Sequence, residues 1–332
     1  MKEINKILFI TLSNIGDVIL TMPALDVLRQ EFPEAKITVM PGPRPKEVFE
    51  GSPSADRVIV LDKHASLKDN IKLFNGLRKE KFDMVIDLRN SFLGAILPAG
   101  YKASPFQGIP KSIAHMKQRH LYRLQQVIRG CGNLQTDAGK PSLCIGKQGR
   151  EYAEAILRDN VIKESDLLIV VAAGARSHIK RWGEDKFARL CEQLLEDKDI
   201  KIILVGDDGD KETAVYINNR CGDKVINLCG KTKIPQLAAL LSKSRLLITN
   251  DSATMHIGSY LDIPTLAVFG PTNELKYGPW AKVSSVVKKD IPCRPCEKAQ
   301  CRFGHLDCMK LITAEDVLSA ARSMLFHAPR RD

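Results

Sequence analysis

At 332 residues the chain exceeds what one hydrophobic core usually organises, so two domains of about 150 residues each are expected. Its composition, 44% hydrophobic and 27% charged, excludes a disordered, collagen-like or coiled-coil chain, and no run reaches the ~18 uninterrupted apolar residues of a bilayer crossing. The net charge of +11 is uneven, with +7 in the first 160 residues, which points to an anionic partner for the first half.

Residues 6–12 form an apolar, β-rich run behind Lys2 and Lys6. Asn14, Gly16 and Asp17 break it before a secretory h-region and cleavage site can follow. Nine cysteines, an odd number, fit a reducing compartment better than a disulfide scaffold, so a cytoplasmic chain is expected. Further strands are predicted at 37–40, 58–61 and 84–88, with a helix at 22–31. The pattern restarts with strands at 167–172, 202–205, 225–228, 246–249 and 265–269. A last helix begins at Thr313, where Thr313 and Asp316 have capping-box spacing, and runs to about Phe326. Strand interiors such as Leu167-Leu168-Ile169-Val170-Val171 are apolar on both faces, as buried parallel strands are. Two doubly wound α/β domains follow, with a boundary between 146 and 166, after the polar stretch 130–140.

In such sheets ligands sit beyond the carboxyl ends of the strands, and three strand ends carry unusual chemistry. In Ser13-Asn14-Ile15-Gly16-Asp17, Gly16 permits a turn with positive φ or close ligand approach, and Asp17 falls at a helix N-terminus, as a catalytic acid or a simple cap. The Gly-x-Gly-x-x-Gly dinucleotide fingerprint is absent. In Gly174-Ala175-Arg176-Ser177-His178-Ile179-Lys180-Arg181-Trp182, a glycine-led loop with several cations suits a polyphosphate, Lys180 as a point charge and Arg176 or Arg181 as a fork; Trp182 suits packing. In Asn250-Asp251-Ser252-Ala253-Thr254-Met255-His256, small residues leave the N–H groups of a helix start open to an anion. His256 lies one turn further, as a ligand contact or a packed residue, and Phe269-Gly270-Pro271-Thr272 is a further strand-end turn.

Other patterns are weaker. Asp208 and Asp210 spell a D-x-D, metal-binding in some sugar transferases, but first-turn helix acids are the favoured reading. The 49 residues 88–136 hold no acid yet carry Arg89, Lys102, Lys111, Lys117, Arg119, Arg123 and Arg129, either a docking face for an anion or a solvated basic face. Cys293, Cys296, Cys301 and Cys308, with His305 as a substitute ligand, could hold a structural zinc. Tetrahedral zinc sites usually come as two knuckles on a longer arm, so free thiols are the alternative.

The run Gly16-Asp17-Val18-Ile19-Leu20-Thr21-Met22-Pro23-Ala24-Leu25 resembles the opening motif of glycosyltransferase family 9, the heptosyltransferases of lipopolysaccharide core synthesis. Residues 250–257, followed by 264–272, resemble its second signature. Lys180-Arg181-Trp182, Cys293-Arg294-Pro295-Cys296 and Cys308-Met309 resemble the heptosyltransferase II branch. The resemblance spans essentially the whole chain.

It implies a GT-B architecture: two facing Rossmann-like domains, 1–155 for the acceptor and 156–332 for a nucleotide sugar, the last helix packing back on the first domain. It implies an ADP-activated heptose donor, inversion at the anomeric carbon and no required metal. Asp17 is the implied base; Lys180, Asp251, Ser252, Ala253, Thr254 and His256 are donor contacts. Ala253 replaces a usual glycine, so its methyl would crowd the phosphates if the backbone there needs positive φ. Ser13, Arg89, Arg119 and Arg123 are acceptor candidates, since the implied acceptor is a lipid-anchored anionic sugar at the inner face of the cytoplasmic membrane. Two rivals are a sugar-nucleotide epimerase of similar fold and a basic nucleic-acid-binding module, the latter disfavoured because aromatics are only 6% of the chain.

Overall fold

Lys6–Ile10 (β1) is buried at every position after Lys6, and in the computed structural model it lies at the centre of a parallel sheet. The structure describes residues 3–102, 108–129 and 141–327. Beside β1 run Lys36–Met40 (β2), Arg57–Val58 (β3), Met84–Asp87 (β4) and Tyr101–Lys102 (β5), in the order β3-β2-β1-β4-β5. A strand buried on both faces must be apolar throughout, which Lys6–Ile10 satisfies after its first residue.

The second sheet is built from Leu167–Ala172 (β6), Ile200–Leu204 (β7), Val225–Asn227 (β8), Leu246–Asn250 (β9), Thr265–Val268 (β10) and Ser284–Val287 (β11). Its order is β11-β10-β9-β6-β7-β8, and every neighbouring pair in both sheets is parallel. Read from its first strand, each sheet has the Rossmann order 3-2-1-4-5, and the second adds a sixth strand. The fold class is therefore the expected one: α/β, with two Rossmann-like doubly wound sheets and a C-terminal helix. In each sheet the order in which strands are added reverses between the first and fourth strands, β1 beside β4 and β6 beside β9, with both pairs parallel.

Compact packing divides the chain after Cys144, so the helix Gly146–Asp159 opens the second unit instead of closing a first domain that ends at 155. The reason is close helix packing: a Cβ on Gly149 would lie 2.8 Å from the Pro235 carbonyl oxygen, at the start of the helix Ile234–Lys243. The stretch 130–140 lies outside the described residues.

The last helix, Ala314–His327, was expected to return to the first domain. It packs on the helix Glu184–Leu194 and on β9, β10 and β11 of its own unit. Val317, Leu318, Ala321 and Leu325 join the core formed by Ile169, Val171, Phe187 and Ile248, and burial of that apolar stripe fixes its position. The capping box is present: Thr313 N–H donates to Asp316 Oδ2 at 2.8 Å, and Asp316 N–H donates to Thr313 Oγ1 at 3.1 Å.

β5 and β11 were not expected. Both are edge strands with partly exposed residues, so neither shows a continuous apolar run. Of the expected 58–61 strand only Val58 is regular, paired with Arg57 in β3, although Ile59 and Leu61 still donate to the Val39 and Pro41 carbonyls.

Candidate functional site

The loops after β6 and β9 meet through one side chain. Asn250, the last residue of β9, is fully buried. Its Oδ1 accepts from the Trp182 N–H at 3.2 Å, and its Nδ2 donates to the Ala173 and Gly174 carbonyls at 2.6 and 3.4 Å. An amide satisfied on both ends in a dry interior holds its partners firmly, because any lost bond leaves a polar group unpaired. Gly174, Lys180 and Trp182 are thereby held beside the start of the helix Ala253–Tyr260.

Lys180 Nζ lies 2.7 Å from Asp251 Oδ2, with the lysine side chain 31% exposed and the aspartate 6%. Such a shielded pair stays aligned only if both charges are present, since removing one strands the other. Ser252 is the N-cap of the helix, in extended backbone, but its side chain does not cap it. Its hydroxyl instead bonds Thr249 Oγ1 at 3.0 Å. Ser252, Ala253 and Thr254 are half-exposed, so this helix start faces outward uncapped by that side chain. Ala253 is the first helical residue and is not among those with positive φ, so the condition under which its methyl would crowd the phosphates is not met.

Around this pair the structure adds residues that the sequence reading assigned differently or passed over. A Cβ on Gly174 would lie 2.0 Å from Asp210 Cγ, so only glycine lets that carboxylate pack on the loop. Arg181 donates through Nε to the Ala175 carbonyl at 2.8 Å and through Nη2 to Asp210 Oδ1 at 3.4 Å. Burial and then the neighbouring Asp207 push the Asp210 carboxyl up. The D-x-D is thus a helix start, with Asp207 and Asp210 forming the capping box and Asp208 pairing Lys211 at 2.7 Å. Trp182 is structural, its Nε1 donating to the Ile312 carbonyl at 2.9 Å. His256 is buried and stacks on Trp280 at 5.5 Å.

The turn 270–272 is gripped by the cysteine-rich segment. Arg294, with 4% of its side chain exposed, donates to the Gly270 carbonyl at 2.7 Å and to Glu274 Oε2 at 2.8 Å. Burial raises the Glu274 carboxyl, but Lys288 and Arg294 outweigh it and hold it down at about 2. Cys293, Cys296, Cys301 and Cys308 are free thiols. Among the described residues no group of three or more His, Cys, Asp or Glu side chains is placed to hold a metal ion.

In the first sheet the corresponding loops follow β1 and β4. The loop after β1 is locked from below: Thr21 Oγ1 donates to the Val18 carbonyl, so the Thr11 hydroxyl donates to Thr21 Oγ1 at 2.7 Å. Gly42 presses on the same loop, since its missing Cβ would fall 2.6 Å from Ser13 Cβ. The short helix Ile15–Ile19 is preceded by Asn14 as its N-cap residue and carries Asp17 in its first turn, near the helix N-terminus as expected; Gly16 is helical, so of the readings open at this loop the positive-φ turn and the Asp17 cap are not seen. Asp17 is half-exposed, and its Oδ2 accepts from Asn14 Nδ2 at 2.8 Å.

The loop after β4 is organised by Asp87, opposite Ile10 in the sheet. Its carboxylate accepts from the Arg89 and Ser91 N–H groups, both at 2.9 Å, and from Ser91 Oγ at 2.8 Å. Burial pushes this carboxyl up against those bonds. Arg123, on the helix Met116–Ile128, donates to the Leu88 carbonyl at 3.2 Å, next to Arg89. Arg119, one turn earlier, donates to the Ile113 carbonyl at 3.1 Å. Burial lowers Lys117; burial and then Arg119 lower Arg123, which Asp87 opposes. Arg89 Nη1 is buried without a hydrogen-bond acceptor among the described residues.

The family model of glycosyltransferase family 9, the heptosyltransferases, matches residues 70–307. The chain belongs to that family. It is a glycosyltransferase. Among relatives, a lipooligosaccharide heptosyltransferase 2 of Campylobacter jejuni is 26% identical over 94% of this chain and 95% of its own. The crystal structure of a family 9 glycosyl transferase from Veillonella parvula superposes with a TM-score of 0.81 at 26% identity, covering 98% of each chain. The heptosyltransferase WaaC of E. coli, solved with ADP-2-deoxy-2-fluoro heptose, shares the fold with a TM-score of 0.70 at 21% identity, covering 96% of this chain and 99% of that one.

One pH effect follows for this transferase. Burial, and then Arg123, Arg119 and His115, push the His120 imidazole down to about 3, from an ordinary ~6.5. The folded state therefore favours the neutral ring, and its contribution to stability is complete above pH ~6.5 and lost as pH falls from there toward 3. Protection factors in the helix Met116–Ile128, taken from hydrogen exchange corrected for its intrinsic pH dependence, should fall as pH is lowered through that window, and His120→Gln should flatten the dependence.

Proposed function

We propose that the chain is an inverting heptosyltransferase that moves a heptose from an ADP-activated donor to an anionic, lipid-anchored inner-core acceptor of lipopolysaccharide. The observation that carries this reading is the cluster at the β6–β9 reversal: a shielded Lys180–Asp251 pair at 2.7 Å beside the outward-facing helix start at Ser252 to Thr254. A diphosphate fits there, with lysine as the point charge and backbone N–H groups as donors. The matching family, the Campylobacter relative and the donor analogue held by WaaC support heptose and ADP as its parts.

The reaction is a single displacement. The acceptor hydroxyl oxygen bonds to the anomeric carbon as its proton passes to the Asp17 carboxylate, and the bond from that carbon to the diphosphate breaks, releasing ADP. Asn14 Nδ2 donates to Oδ2 at 2.8 Å, which leaves Oδ1 as the oxygen that takes the proton in this reading. Lys180 and the amides at Ser252, Ala253 and Thr254 meet the charge that grows on the leaving diphosphate. Asp251 orients Lys180, and His256, stacked on Trp280, lines the donor side. Arg89, Arg119 and Arg123 take the acceptor's phosphates or carboxylates, with Ser13 beside Asp17 as a further acceptor contact.

Asp17→Ala should lower kcat by about 10²- to 10⁴-fold and leave ADP affinity in calorimetry nearly unchanged; normal turnover in a folded variant would overturn the base assignment. Lys180→Ala should weaken donor binding together with turnover, and equal donor affinity would remove Lys180 from the phosphate site. Reversing Arg119 and Arg123 to Glu should raise the acceptor KM and leave the donor KM alone, an outcome steady-state kinetics with each substrate varied separately will decide.

A further inference from the structure

The helix Leu67–Lys79 buries one side in the first unit, where Leu77 is enclosed and Leu73 and Phe74 pack partly against Leu8, Ile10 and Val85. Along the edge of that buried stripe, next to Phe74, the surface is unusual for one that faces solvent. Leu67 and Ile71 are 77% and 52% exposed. Four residues apart, they stand one above the other on the same face. At 100° per residue, Arg78 takes the same bearing about two turns beyond Ile71, and Lys68, Lys72 and Lys79 form a stripe along one flank. None of these four cations has an ion-pair partner among the described residues. The helix's single acid, Asp69, is occupied by the Ser66 cap, whose Oγ lies 2.6 Å from its carboxylate.

We infer that this face is a docking surface for an anionic lipid bilayer, Leu67 and Ile71 entering the headgroup boundary and Lys68, Lys72, Arg78 and Lys79 lying among the lipid phosphates. Exposed apolar side chains flanked by cations are what separate interfacial insertion from simple charge attraction. A nucleic acid would use the cations but give Leu67 and Ile71 nothing to enter, and the helix offers no aromatic on its outer face for a base to stack on. No helix among the described residues is long and apolar enough to cross a membrane, so attachment of this kind is peripheral. The inference extends the reading of a lipid-anchored acceptor, because an enzyme held at the bilayer meets such an acceptor in two dimensions.

Sedimentation of the full chain with phosphatidylglycerol-containing vesicles, against pure phosphatidylcholine vesicles, tests it. The wild type should pellet with the anionic vesicles only, and less as salt rises. Lys68→Glu with Lys72→Glu should lower partitioning at least about twenty-fold, at about five-fold per cation. Leu67→Ser with Ile71→Ser should weaken binding while leaving its salt dependence in place. Circular dichroism confirms that both variants are folded. A wild type that stays in the supernatant at low salt, or an apolar variant that binds as the wild type does, overturns the inference, as does tight binding of generic RNA that the apolar variant keeps. Turnover of ADP-heptose with a delipidated, water-soluble acceptor separates the two readings: activity there without vesicle binding sinks the docking surface alone, and no activity there sinks the heptosyltransferase reading.

Discussion

Asn250 is the side chain that ties the loop after β6 to the end of β9. A buried carboxamide has one accepting and one donating end, and here each meets backbone of the loop after β6. The loop cannot drift without leaving a polar group unpaired in a dry interior, at a cost of about 1–3 kcal/mol per group. Lys180 is thereby presented to Asp251 by the scaffold, and the remaining freedom of the pair is small. Below the same loop, the carboxylate of Asp210 packs against Gly174 and Gly206, two places where any side chain would push the loop out of line.

The first unit solves the same problem with a carboxylate. Asp87 ends its strand as Asn250 ends β9, and both lie where the strand order reverses. Asp87 gathers the N–H groups of the following turn, while Arg123 reaches the Leu88 carbonyl from outside. A Cβ on Gly94 would lie 2.5 Å from Asp87 Cβ, so the turn closes only over glycine. One unit thus ends its reversal in a cation paired to a buried acid, and the other in a buried acid that gathers backbone N–H groups beside a guanidinium.

Much of this was legible in the chain. Strands β1, β2, β4, β6, β9 and β10 are runs of apolar β-formers bounded by polar residues, and such runs have few other uses. The strand ends singled out by their residue types do flank the two strand reversals. What failed to show was whatever depends on neighbours distant in sequence. β5 and β11 are edge strands with mixed burial, Arg294 reads as one basic residue among cysteines until its guanidinium is seen on the Gly270 carbonyl, and Gly42 reads as a loop glycine until it meets Ser13. An Asp or Gly after a strand also has several innocent roles, and spacing alone left Asp17 balanced between a cap and an acid.

The sequence by itself determined the alternation of strands and helices, the parallel sheets and the families of residues at each strand end, because hydrophobic period and turn chemistry act over a few residues. Only the tertiary structure decided that the helix Gly146–Asp159 belongs to the second unit, that the last helix packs there too, and that Asn14, not Asp17, starts the helix Ile15–Ile19. Those outcomes turn on which surfaces exclude water together and which polar atoms find partners across the fold, and a one-dimensional pattern does not carry that information.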